Sequence, residues 1–138
     1  MKKFAKVMAV VLVGVMALAL LVACGPASDP DKAIASLEKN GYTAGKDTVI
    51  IPIALAGLKV KGVEAVISGS KTVKDGDKSK LETVTVVYFT DSKAAKDAWE
   101  KVKEYAEDQK DKDNSDWTVK QSGAMIYWGT SAAIKAAR

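Results

Sequence analysis

The stretch LETVTVVYFT (81–90) decides the fold. Valine, threonine, tyrosine and phenylalanine crowd it and turn residues stand on both sides, the composition of a β-strand whose branched and aromatic side chains suit a pleated backbone. Successive side chains of a strand point to opposite faces, so Val84, Val86 and Tyr88 share one side while Thr83, Thr85, Val87 and Phe89 share the other. Both sides are partly apolar. Upstream, 62–69 reads as a second strand, and the two are expected to form a hairpin. Their connection, 70–80, carries Asp75-Gly76 among Lys71, Lys74, Lys78 and Lys80, which suits a long solvated tip.

After this hairpin, Asp91 or Ser92 caps a long helix with Ala95, Ala98, Trp99, Val102, Tyr105 and Ala106 on one stripe and alternating lysines and acids elsewhere. It gives way to the polar run 108–116. Segments 117–121 and 124–128 read as a second hairpin across Ser122-Gly123, and Thr130 caps a last helix with Ala133, Ile134 and Ala137 inward. Before the first hairpin, Asp29-Pro30 starts a helix and Asn40-Gly41 stops it; Ala33, Ile34 and Leu37 form its narrow buried face and Tyr42 closes the last turn. The apolar run 48–58 contains Pro52, which either opens a short helix or interrupts a strand; a short buried helix after Ile51 is favoured. In order, the later elements are strand, strand, helix, strand, strand, helix, a repeated ββα unit. The expected architecture is α+β: an N-terminal helix, then an antiparallel four-stranded sheet covered by helices in a two-layer sandwich, its other face partly open to solvent.

The start of the chain belongs to a different class of sequence. Lys2, Lys3 and Lys6 precede an unbroken apolar run, 7–23, a charged region followed by a hydrophobic one, as in an export signal. The run is long enough to be weighed as a membrane-spanning helix, and its ending decides. Leu21-Val22-Ala23-Cys24 resembles the bacterial lipobox. That resemblance implies diacylglycerol on the Cys24 thiol and cleavage before it, giving a signal peptide at 1–23, a lipidated tether at 24–28 and one α+β domain at 29–138. Two or more acyl chains give stable anchoring where one is marginal. With the leader lysines inside, the domain is expected at the cell membrane on its extracytoplasmic face. The domain itself, through Val63-Glu64-Ala65-Val66, Val87-Tyr88-Phe89 and Trp128-Gly129-Thr130, resembles small surface lipoproteins of Gram-positive bacteria that have no assigned activity.

Charge and composition remove several functions. The leader lysines carry three of the net +4 charges, so the domain is close to neutral and lacks the basic footprint of a nucleic-acid binder. One cysteine and no histidine exclude an intrachain disulfide and a Cys/His zinc site. Ser36-Leu37-Glu38-Lys39 has the Ser-x-x-Lys spacing of serine acyl-transfer enzymes but none of their companion motifs, so it reads as helix surface. Gly41 and Gly45-Lys46 fall one residue short of a phosphate loop, with Asp47 where Ser or Thr must stand. Asp111, Asp113, Ser115 and Asp116, and likewise Asp75, Asp77 and Ser79, lack the glycine and glutamate of an EF-hand loop. No carboxylate pair stands out for acid–base work. No catalytic residue, metal or cofactor is therefore expected. Trp117 and Trp128, on the short strands of the second hairpin, are the aromatic residues expected on an exposed sheet face, where they would form a binding face. The resulting expectation is a non-enzymatic extracytoplasmic binding or interaction module, held to the membrane through lipid on Cys24 and meeting an unknown protein or small molecule; the alternatives are an accessory subunit of a membrane complex and a small carboxylate-dependent envelope hydrolase.

Overall fold

The structure, a computed structural model, describes residues 25–110 and 116–138. The expected signal peptide, the Cys24 lipid site and the calcium candidates Asp111, Asp113 and Ser115 lie outside the described residues. Helix α1 (Pro30–Lys39) begins and ends where its sequence places it. The Asp29 carboxylate accepts from the Asp31 N–H at 2.9 Å, one of the donors that a first turn leaves unpaired. At the other end Gly41 turns left-handed at φ +85°, and the N–H groups of Gly41 and Tyr42 donate to the carbonyls of Glu38 and Leu37 at 3.0 and 2.9 Å. Tyr42 closes over Leu37, and both are buried.

The sheet comprises β1 (Thr43–Lys46), β2 (Val63–Asp75), β3 (Lys78–Phe89), β4 (Thr118–Ser122) and β5 (Met125–Gly129), in the order β1-β2-β3-β5-β4. Every pairing is antiparallel, as the two hairpins require. The count is five rather than the expected four because Thr43–Lys46 adds an edge strand along β2, from Thr43↔Ser70 to Lys46↔Ile67. Thr-Ala-Gly-Lys has little strand propensity of its own; the ladder of β2 supplies the structure.

The first hairpin also differs from expectation. Its strands do not end at Gly69 and Leu81 but continue in register to Asp75↔Lys78, closed by Gly76-Asp77 as a two-residue turn. Pairing with β1 stops at Ser70 and pairing with β5 stops at Val84, so beyond these points β2 and β3 form a two-stranded arm. A ladder satisfies its own inner hydrogen bonds whatever the side chains are, so a lysine-rich segment stays extended in water.

Helix α2 (Ile50–Gly57) follows β1, α3 (Ser92–Asp108) follows β3 and α4 (Ser131–Ala136) follows β5. The expected two-layer sandwich is corrected here: helices cover both faces. On one face α1 and α4 bury Val84, Val86, Tyr88, Met125 and Tyr127 with their own Leu37, Ala133 and Ile134. On the other, α2 and α3 cover Val66, Val87, Phe89, Ile126 and Trp128 with Leu55, Ala95, Ala98, Val102 and Ala106. The two ββα units thus send their helices to opposite sides, each to an apolar face that the alternation of β3 had already created. Asp91 caps α3 through the Ala94 N–H at 2.8 Å. Thr130 takes the N-cap place of α4, but the capping oxygens come from Asp116, which accepts from the Ser131 N–H at 3.2 Å and hydroxyl at 2.5 Å. Ser36, of the Ser-x-x-Lys spacing, donates its hydroxyl to the Ala136 carbonyl at 2.7 Å and ties α1 to the end of α4. Among the described residues no helix is long and apolar enough to cross a membrane.

The segment expected as a tether is laid against the domain. Gly25 and Pro26 are buried, and a Cβ on Gly25 would stand 3.0 Å from the Tyr127 hydroxyl. The Ala27 N–H donates to the Ala137 carbonyl at 2.8 Å, and the Ala27 carbonyl accepts from the Tyr88 hydroxyl at 2.7 Å. Burial, and then the nearby Asp29 carboxylate, raise the pKa of that hydroxyl well above the ordinary tyrosine value, so it remains a donor.

Candidate functional site

The side of the sheet under α2 and α3 carries the surface features that a partner could use, and they begin with how α2 is held. The Asp47 carboxylate accepts from the N–H groups of Val49, Ile50 and Ile51 at 3.0, 2.9 and 2.9 Å. Burial alone would push its pKa up; the bonds from Ile51, Val49 and Ile50 outweigh it and hold the carboxyl below its ordinary value. Pro52 falls in the first turn, where a missing N–H costs no helical bond. At the far end the Lys59 and Val60 N–H groups donate to the carbonyls of Ala56 and Leu55, both at 3.0 Å, with Lys59 left-handed at φ +61°. This repeats the ending of α1, with Val60 on Leu55 in place of Tyr42 on Leu37.

The helix is therefore fixed at both ends, yet it is not the buried helix expected from its composition. Within it only Leu55 is fully buried. Ile50 and Ile53 are 74% and 66% exposed, and Val49 and Leu58 are exposed beside them. Hollows flank it. On the outer side a groove of about 530 Å³ runs past Lys46, Asp47, Pro52, Val63 and Glu64. On the inner side, toward α3, a hollow of about 260 Å³ lies among Lys59, Lys61, Asp97 and Lys101, and a smaller one of about 170 Å³ between Ile51, Thr83, Thr85, Gln109 and the two tryptophans.

Trp117 and Trp128 are thus brought together, but not on an open face. Trp128 stands across the ladder from Thr85 on one side and Val119 on the other, is 2% exposed, and meets the Tyr105 ring edge-on at 6.1 Å between centroids. It is a floor, packed under α3. Trp117 is half-buried against the same core, and its indole N–H is buried without a hydrogen-bond partner, an arrangement that costs free energy wherever it occurs. Tyr105 is raised in pKa by burial first and then by the Asp47 carboxylate, placing that charge near the gap between α2 and α3. On the opposite face Glu82, 7% exposed, has one carboxylate oxygen 3.4 Å from Lys80 and the other unpartnered.

The residues that shape this side were outside the sequence-derived candidates. Asp47 had a readable signal, an acid a few residues before a proline, as at Asp29-Pro30. Exposure of Ile50 and Ile53 had none, because an all-apolar helix reads as buried. Among the described residues no group of three or more acids or cysteines is placed to hold a metal ion. No family model, curated protein or solved structure matches this chain.

Proposed function

We propose that this chain is a lipid-anchored extracytoplasmic binding module that receives its partner on the α2 side of the sheet. The observation that carries the binding role is the helix α2 itself: fixed at both ends, it leaves Ile50 and Ile53 largely in water and has hollows along both flanks. Exposed apolar residues grouped on one element and bordered by polar ones mark an interaction surface more often than isolated ones do. The anchoring role rests on Leu21-Val22-Ala23-Cys24 and the leader before it. The near-neutral domain lacks the basic footprint of a nucleic-acid binder, and with one cysteine and no histidine it has no cysteine–histidine chemistry within the chain.

Two experiments test the two halves. Radiolabelled fatty acid should enter the native protein and not Cys24→Ser; equal labelling rejects the anchor. The domain from Gly25 onward, melted against wall fragments, sugars, peptides and calcium, should be stabilised by its ligand through mass action, several degrees at a hundredfold excess over Kd. The double variant Ile50→Ser/Ile53→Ser should lose that shift while melting at the same temperature unliganded; a retained shift rejects the α2 surface.

A further inference from the structure

Resting on the lipid-anchor reading, a second question is how the domain stands on the membrane. A flexible tether would leave it free to tumble, and the structure offers something else. Gly25 and Pro26 are buried, Ala27 is hydrogen-bonded through both its N–H and its carbonyl, and Gly25 lies against the Tyr127 ring. Both rings that hold the segment, Tyr88 and Tyr127, belong to the face covered by α1 and α4. Cys24 is the residue directly before Gly25 in the sequence, and one residue of chain reaches no more than about 3.6 Å. A lipid on Cys24 therefore enters the bilayer from beside the α1/α4 layer with almost no slack. The apolar helix α2 lies on the other face, with the thickness of the sheet between.

We propose that the docked segment Gly25 to Ala27 fixes the orientation of the domain, setting the α1/α4 layer against the lipid surface and presenting α2 and its flanking hollows away from it. The docked segment, and not charge, is what sets this orientation: on α1, α4 and their flanks the exposed Lys32, Lys39, Lys135 and Arg138 stand among exposed Asp29, Asp31 and Glu38, with Lys46 bridged to Asp31 at 3.4 Å. Held by the segment, the orientation does not require anionic lipid, and the exposed isoleucines of α2 meet a partner rather than the bilayer.

The test uses the full chain, lipidated at Cys24, in phosphatidylcholine vesicles that carry a nickel-chelating headgroup. Lys135→Cys on α4 and Ile53→Cys on α2 are labelled separately with a nitroxide; both native side chains are exposed. Headgroup nickel should broaden the label at 135 several-fold more than the label at 53, with or without phosphatidylglycerol. A ten-residue glycine–serine spacer inserted between Cys24 and Gly25 should erase the contrast. Equal broadening at the two positions without the spacer, or stronger broadening at 53, overturns the orientation while leaving the anchor intact; so does a contrast that survives the spacer. A chain that takes up no lipid at Cys24 overturns the anchor and the orientation together.

Discussion

Gly129 in β5 lies against the backbone of Thr83, so close that a side chain there has nowhere to go: a Cβ would overlap the Thr83 carbonyl oxygen and stand 2.8 Å from the Val84 Cα. Its φ of +144° is also outside the range that side-chain-bearing residues favour. The neighbouring Thr130 N–H donates to the same Thr83 carbonyl at 2.9 Å, so this crossing carries the chain from β5 into α4. Gly129→Ala should cost at least about 3 kcal/mol, seen as a large fall in the urea midpoint, whereas Gly123→Ala in the hairpin turn, where a Cβ meets nothing within 4 Å, should cost less. Equal losses would show that the close approach is not what matters.

The two tryptophans should separate by role. Trp128 is buried in the core under α3, and Trp128→Ala should destabilise by about 3–5 kcal/mol. Trp117→Phe keeps most of the ring and removes a buried donor that has no partner, so its stability should equal or exceed that of the native protein by up to about 1 kcal/mol. Thermal unfolding of both variants decides; a Trp117→Phe protein that melts well below the native one would mean that the indole N–H is satisfied after all.

Asp47 gives a pH dependence with a definite sign. Its pKa is lower in the folded chain than in the unfolded one, so the folded state favours the charged form. The stabilisation is complete above the ordinary carboxylate range and is lost as pH falls through the lowered value. Asp47→Ala should therefore cost about 1 kcal/mol near neutral pH, as the loss of a helix cap does, and the gap between the two urea midpoints should close in strong acid. A gap that persists there would assign the effect to something other than the carboxylate.

Lys59 occupies the left-handed position that Gly41 takes at the end of α1. A side chain there costs roughly 1–2 kcal/mol, and glycine returns part of this to chain entropy. Lys59→Gly should raise stability by about 0.5–1 kcal/mol, readable as a higher melting temperature; a decrease would mean that the lysine side chain makes a compensating contact.

The same pair of helix ends shows what the sequence could and could not reveal. Asn40-Gly41 announces the end of α1 because glycine is the usual left-handed residue, whereas Leu58-Lys59 makes the same turn without that mark. Both hairpins, the α3 stripe and the two faces of β3 were readable because periodicity survives whatever covers it. The number of layers was not: alternation states that Val87 and Phe89 need a cover, but not that α3 rather than solvent supplies it. The short β1 was hidden for a related reason, since its structure comes from β2 and not from Thr-Ala-Gly-Lys. Trp117 and Trp128 could be paired by their hairpin, yet burial of Trp128 depends on Tyr105, thirteen residues before β4 begins.

The arm formed by the outer halves of β2 and β3 has two free edges, each a row of backbone donors and acceptors open to another strand. Such edges are where chains first zip together into fibrils. Lys71, Lys74, Lys78 and Lys80 recur along both edges, and bringing two arms side by side would force these ammonium groups together. The lysines that made this segment resemble a loop keep neighbouring molecules apart.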